Sequence, residues 1–160
     1  MKLKKMIYTA GFTLLLLSPI TTVLASGKPN DYQASHIIDS AAFPNDAEAM
    51  TATYEIEVHV QGKPLEGLSI DIPSEIKIDD GIEVKNSEGE KIATEVSINE
   101  NKAQVIFSQP VAPETKLSIL MKDVITPGYA ETWQFKVDAK VVGFKEAIPL
   151  GITQIMTYDD

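Results

Sequence analysis

Cysteine and arginine are both absent from this 160-residue chain. Without cysteine there is no disulfide, no thiolate nucleophile and no sulfur for zinc or lipid attachment. Without arginine there is no planar fork of donors to grip phosphate or carboxylate at two points. Histidine is nearly missing too, with only His36 and His59. A nucleophile would have just these two imidazoles to activate it, and no Gly-x-Ser-x-Gly elbow is present to carry a catalytic serine. Copper or zinc would find few ligands: the two histidines are far apart in sequence, and Met121 and Met156 fall in strand-like segments where core packing is the expectation.

What is present begins with an address. Lys2, Lys4 and Lys5 precede an apolar run that peaks at Leu14 to Leu17, and Val23-Leu24-Ala25 supplies small residues where a signal peptidase cuts. Residues 1–25 therefore read as a cleaved export signal. Ser18, Pro19, Thr21 and Thr22 break the run before it reaches the ~18 apolar residues that an anchor needs, so no stable membrane anchor is expected after cleavage. Residues 26–34, small and polar with Gly27 and Pro29, read as a flexible leader into one domain over 35–160.

Of 14 lysines, three lie in the leader, which leaves 11 against 23 acidic residues and a charge near −12. Such a surface repels nucleic acid and anionic headgroups, and it keeps an exported domain soluble. About 135 residues can bury roughly two-thirds of their unfolded surface, enough for one core without crosslinks.

The dominant pattern has a period of two. Tyr54, Ile56, Val58 and Val60 alternate with Thr53, Glu55, Glu57 and His59, which buries one face of a strand and wets the other. Leu68, Ile70 and Ile72 repeat it up to Pro73; Ile82 to Val84 is short, and Ile92 can pair back across the Asn86-Ser87-Glu88-Gly89 turn. Thr94, Val96 and Ile98 lead through Asn99 to Lys102 into Val105 and Phe107. Pro110 and Pro113 then mark a corner, since a residue without an N–H fits a ladder only at its edge or end.

Leu117, Ile119 and Met121 follow, with Leu120 suggesting a strand covered on both faces or touching an edge. Trp133, Phe135, Val137, Ala139 and Val141 form the longest alternation and predict a central strand. Its two aromatics alone remove roughly 300–500 Å² from water. Ile148-Pro149-Leu150-Gly151 reads as a last corner before a strand at Ile152 to Tyr158. His36 to Asp39 is a short first strand, while Asp46 to Met50 equally suits a helical turn. Eight or nine short strands with Pro, Gly and Asn turns predict an all-β fold, an antiparallel immunoglobulin-like β-sandwich.

Ala52-Thr53-Tyr54-Glu55-Ile56, Pro64-Leu65, Val105-Ile106-Phe107 with Pro110-Val111-Ala112-Pro113-Glu114-Thr115, and Ile148-Pro149-Leu150-Gly151 with Thr157-Tyr158 together resemble an exported, mainly cyanobacterial family, domain of unknown function 2808. The resemblance spans about Ser35 to Tyr158. It implies an exported single-domain β protein and brings no activity, cofactor or site residue with it.

Site candidates are correspondingly weak. Calcium prefers oxygen ligands, and Asp79, Asp80, Glu83 and Asp123, with the terminal Asp159-Asp160, supply carboxylates near turns. None has EF-hand spacing, and solvated carboxylates account for them more simply. A sugar-binding face would need exposed aromatics such as Tyr129, Trp133 and Phe144; Trp133 shares the inward register with Phe135, which leaves Tyr129 in the Pro127-Gly128 turn as the ligand candidate. No cofactor is called for. The reading reached from sequence is a non-catalytic exported domain with an envelope protein as partner, with a calcium- or carbohydrate-binding module as the alternative.

Overall fold

A computed structural model describes residues 33–159 of the chain. The expected export signal, and the expected leader up to residue 32, lie outside the described residues. The described part is all β, ten strands in two antiparallel sheets. In chain order they are β1 (His36–Phe43), β2 (Ala52–His59), β3 (Leu65–Asp71), β4 (Lys77–Ile78), β5 (Ile82–Asn86), β6 (Thr94–Asn99), β7 (Lys102–Val111), β8 (Lys116–Ile125), β9 (Glu131–Val141) and β10 (Ile148–Thr157). One sheet runs β1-β2-β8, with β4 and β5 sharing the far side of β8; the other runs β10-β9-β3-β7-β6. This is the sandwich expected from sequence. The count of ten exceeds the expected eight or nine because the Ile76 to Gly81 connection holds the two-residue β4.

β4 and β5 are two halves of one broken strand. Lys77 and Ile78 pair with Ile125 and Val124, and Ile82 to Asn86 pair with Met121 to Leu117. Between them Asp79 N–H donates to Asp123 O (3.1 Å), Asp80 N–H to Lys122 O (3.3 Å), and Lys122 N–H returns a bond to Gly81 O (2.9 Å). Gly81 takes φ +74° and Asp123 φ +49°, the left-handed conformation that Gly and Asp accept most cheaply. The Asp-Asp-Gly sequence thus has a backbone task.

The core forms where the period-two faces of the two sheets meet. From the first sheet come Tyr54, Ile56, Val58, Val84, Leu117, Ile119 and Met121; from the second come Leu68, Ile70, Val105, Phe107, Trp133, Phe135 and Val137. β9 lies between β10 and β3, so the strand predicted to be central is interior. Leu120 sits on the outer face with Glu55 and Glu83 as its cross-strand neighbours, half-buried between their stems.

The proline corner does change sheets, from β7 to β8, but β7 continues to Val111 before turning. While β3 advances from Leu65 to Gly67, β7 runs from Val111 to Ile106, so β7 bulges away from its partner over that stretch and Pro110 sits where no ladder bond is asked of it. The corner is tied to the end of β2 by Glu114 N–H to Val60 O (2.7 Å) and Val60 N–H to Thr115 O (2.8 Å).

Two expectations need correction. Ile148 to Gly151 is the start of β10, with a bulge between Pro149 and Gly151 in place of a corner. An edge strand tolerates Pro149 because its other side has no ladder partner. The stretch after Phe43 forms no helix: Asp46 bridges Tyr158 in parallel, and Ala47 N–H donates to Tyr158 O (2.8 Å).

Candidate functional site

The strands explain where each candidate side chain ends up. Asp79, Asp80 and Asp123 gather at the β4–β5 break through their backbones. Glu83 leaves that group. It lies on the outer face of β5, and its carboxylate is claimed by Lys91 (3.1 Å), Lys85 (3.2 Å) and Lys122 (3.3 Å). Hydrogen bonds from Lys91, then Lys85 and Lys122, hold it well below the usual carboxylate range, at about 2. A cation arriving at Glu83 would first have to displace three ammonium groups. Among the described residues, no set of three or more His, Asp or Glu side chains is arranged to hold a metal ion.

The two histidines, distant in sequence, come together. His36 and His59 are cross-strand partners on β1 and β2, with ring centroids 5.5 Å apart in an edge-to-face arrangement. His36 Nδ1 lies 3.1 Å from Ala34 O, and His59 Nε2 lies 3.8 Å from Glu114 Oε2. Nothing in the sequence spacing of 23 positions signals this pairing; only the register of β1 on β2 creates it.

Tyr129 is 42% exposed. Its hydroxyl donates to Glu75 Oε1 (2.9 Å), which raises its pKa, and its ring leans on Trp133 with centroids 6.1 Å apart. Trp133 itself is core, and its Nε1–H donates to Thr157 Oγ1 (3.1 Å). Phe144 follows the last residue of β9, whereas Tyr129 precedes the first. The three aromatics therefore do not make one face.

The most distinctive surface belongs to β10. Its inward residues Thr153, Ile155 and Thr157 are buried, while Ile152 (61% exposed), Met156 (53%) and Tyr158 (51%), just past the strand end, point outward. Met156 was expected in the core and is not, because the bulge after Pro149 fixes which parity of the strand turns inward. The outward residues oppose Lys136, Gln134 and Thr132 of β9, all polar, so the apolar row runs along the edge strand itself. Tyr158 O–H points to Met156 Sδ (3.8 Å), and Tyr158 N–H donates to Asn45 O (2.9 Å), which holds that end of the row.

β1, the edge of the other sheet, lies beside β10. Ser40 Oγ is hydrogen-bonded to Thr153 Oγ1 and lies 3.1 Å from Gln154 O. Ile38 and Phe43 of β1 are exposed as well. Sequence reasoning missed this seam between β1 and β10. By period alone Ile152, Met156 and Tyr158 form the apolar phase of that strand and Thr153 and Thr157 the polar one, so the sequence points the row inward and the structure turns it out.

Several solved structures resemble the chain at low identity. The bacterial hydrophobin BslA has 12% identity over 80% of this chain and 96% of its own, with a TM-score of 0.51. A non-cellulosomal cohesin from the hyperthermophilic archaeon Archaeoglobus fulgidus has 10% identity over 79% and 93%, at 0.48. The collagen-binding domain from a Staphylococcus aureus adhesin has 11% identity over 79% and 98%, at 0.46. Of these three, the BslA match speaks to the fold, and at 12% identity to the fold alone. No curated protein matches the chain. The model of the family described as "Protein of unknown function (DUF2808)" matches residues 30–153, and the chain belongs to that family.

Proposed function

We propose that this chain is an exported, non-catalytic β-sandwich that works through its surface by docking an envelope protein along the β1–β10 seam. The observation that carries the reading is the row Ile152, Met156 and Tyr158, three large apolar groups turned to solvent on a strand whose opposite face is buried. Large apolar groups gathered along one exposed edge strand support an interaction site. The leader at residues 1–25 supports export, and the arginine-free acidic surface supports a protein over a nucleic acid or anionic-lipid partner.

The test is a photo-crosslinker at Gln154 in the native host, followed by binding of the captured protein to purified wild-type chain and to Ile152→Lys and Met156→Lys variants. Both variants are expected to keep the wild-type melting temperature and to lose binding about tenfold or more. Equal binding by the variants overturns the seam. Turnover of a substrate in a hydrolase panel with no partner captured overturns the non-catalytic reading.

A second reading, a ligand-binding module, is supported by the half-exposed ring of Tyr129 against Trp133. Tyr129→Ala in a carbohydrate thermal-shift screen addresses the sugar arm. Millimolar Ca²⁺ addresses the arm left with Asp79, Asp80 and Asp123 once Glu83 is taken by its lysines, and an unchanged melting temperature ends it.

A further inference from the structure

At the other end of β10 from Tyr158 the sandwich opens into a hollow of ≈ 290 Å³. Three separate pieces wall it: residues 33–35 ahead of β1, the β2–β3 turn at Gln61 to Lys63, and β9 and β10 with their connecting loop. Carbon lines most of it, from Ala34, Val141, Phe144, Ile148 and Leu150. The polar groups in the wall are already engaged with one another. Gln61 N–H donates to Ser35 Oγ (3.0 Å), Ser35 Oγ–H to Gln61 O (3.3 Å), and Gln61 Nε2 to Gln33 Oε1 (3.0 Å).

Among the described residues one charged side chain lines the hollow, Lys63. Its ammonium stands 5.2 Å from the centroid of the Phe144 ring, and among the described residues it makes no ion pair. The turn that carries it is held in place by Lys63 N–H to Gln61 O (2.9 Å) and Val142 N–H to Pro64 O (3.0 Å). The hollow is therefore largely preformed.

We propose that this hollow binds a small amphipathic carboxylate, an unbranched acyl chain whose tail lies against Phe144, Ile148 and Leu150 and whose head group pairs with Lys63. The complementarity runs in both parts. A sugar would need several free donors and acceptors where the wall has spent its own. A cation would meet Lys63. A neutral hydrocarbon would leave the exposed ammonium in water and gain nothing from it. The size lies at the small end of ligand cavities, which restricts the acyl chain to medium length.

The probes are sodium hexanoate, octanoate and decanoate below their micelle concentrations, with 1-octanol as the neutral control, titrated calorimetrically into the full chain. One saturable site is expected, with affinity rising about fourfold per added methylene until the hollow is full and then levelling off. Lys63→Gln is expected to weaken octanoate about five- to tenfold and leave 1-octanol unchanged. Phe144→Ala, in an exposed loop where folding is not at risk, is expected to weaken both. No saturable binding, equal affinity for octanoate and octanol, or an unchanged octanoate affinity in Lys63→Gln each overturns the proposal. So does displacement of the probes by a neutral proline-rich peptide that binds more tightly than any of them.

Discussion

Tyr54 of β2 meets Phe135 of β9 edge to face across the sandwich, with ring centroids 6.2 Å apart and planes at 76°. Both side chains are fully buried, so this contact joins the sheets at the centre of the core. Aromatic pairs favour this geometry because the positive ring edge of one meets the negative face of the other.

Among the described residues the Tyr54 hydroxyl has no hydrogen-bond partner, and burial pushes its pKa up to about 12. Tyr54→Phe keeps the ring and removes an unpaired polar group, so unfolding should change between neutral and about 1 kcal/mol more stable. The gain should widen above pH 10, because the unfolded tyrosine ionises there while the folded one resists until about 12. Phe135→Ala should cost about 3–5 kcal/mol. Urea unfolding at pH 7 and pH 11 checks all three, and a clear loss of stability in Tyr54→Phe would show that the hydroxyl has a partner.

Glu83 provides an acid-side test. Its folded pKa of about 2 lies below the ordinary 4.5, so its contribution is fully present above pH 4.5 and is lost as pH falls towards 2. Glu83→Gln should lower the melting temperature at pH 7, and the gap from wild type should close between pH 4.5 and 2. A gap that stays constant across that window would mean that the three lysines do not act on Glu83 through charge.

Gly67 lies in the bulged part of β3, squeezed between β7 and β9. A Cβ there would sit 2.5 Å from Val105 O, a backbone atom that cannot step aside without breaking the ladder. Gly67→Ala should therefore destabilise by about 1–3 kcal/mol, against the usual gain in chain stiffness. Gly89→Ala is the control for open space, since nothing lies within 4 Å of its added carbon; its penalty should come only from φ +79°. Chemical denaturation midpoints of the pair separate crowding from backbone strain.

Trp133 reports on the end of β10. Its indole N–H donates to the buried Thr157 Oγ1, which also lies 3.3 Å from Glu131 N and 3.4 Å from Glu131 O. Thr157→Val preserves shape and strips the acceptor, so it should cost about 1–3 kcal/mol. As the chain has one tryptophan, its fluorescence follows this site alone. Thr157→Ser should restore most of the loss.

Much of this architecture was legible in the residues. Alternation at Tyr54 to Val60 and Trp133 to Val141 named the buried faces because strand geometry sends successive side chains to opposite sides, a local rule that needs no partner. Pro110 and Pro113 announced a corner between two strands for the same local reason, a missing donor, but not that the corner changes sheets. The short β4 and the bulge at Pro149 were not legible, since each depends on what the neighbouring strand offers.

Sequence by itself determined that the chain is built of strands, which residues most of them bury, and which chemistries lack reagents, because side-chain period, composition and the absence of cysteine and arginine are properties of the chain alone. Tertiary structure alone decided that His36 faces His59, that Lys91 and Lys122 converge on Glu83, that Ile152 and Met156 turn outward beside β1, and that Lys63 stands over Phe144. Those relations arise from register and strand order, which are set by long-range pairing between segments tens of residues apart. A period of two says which face is apolar and nothing about which strand will lie against it.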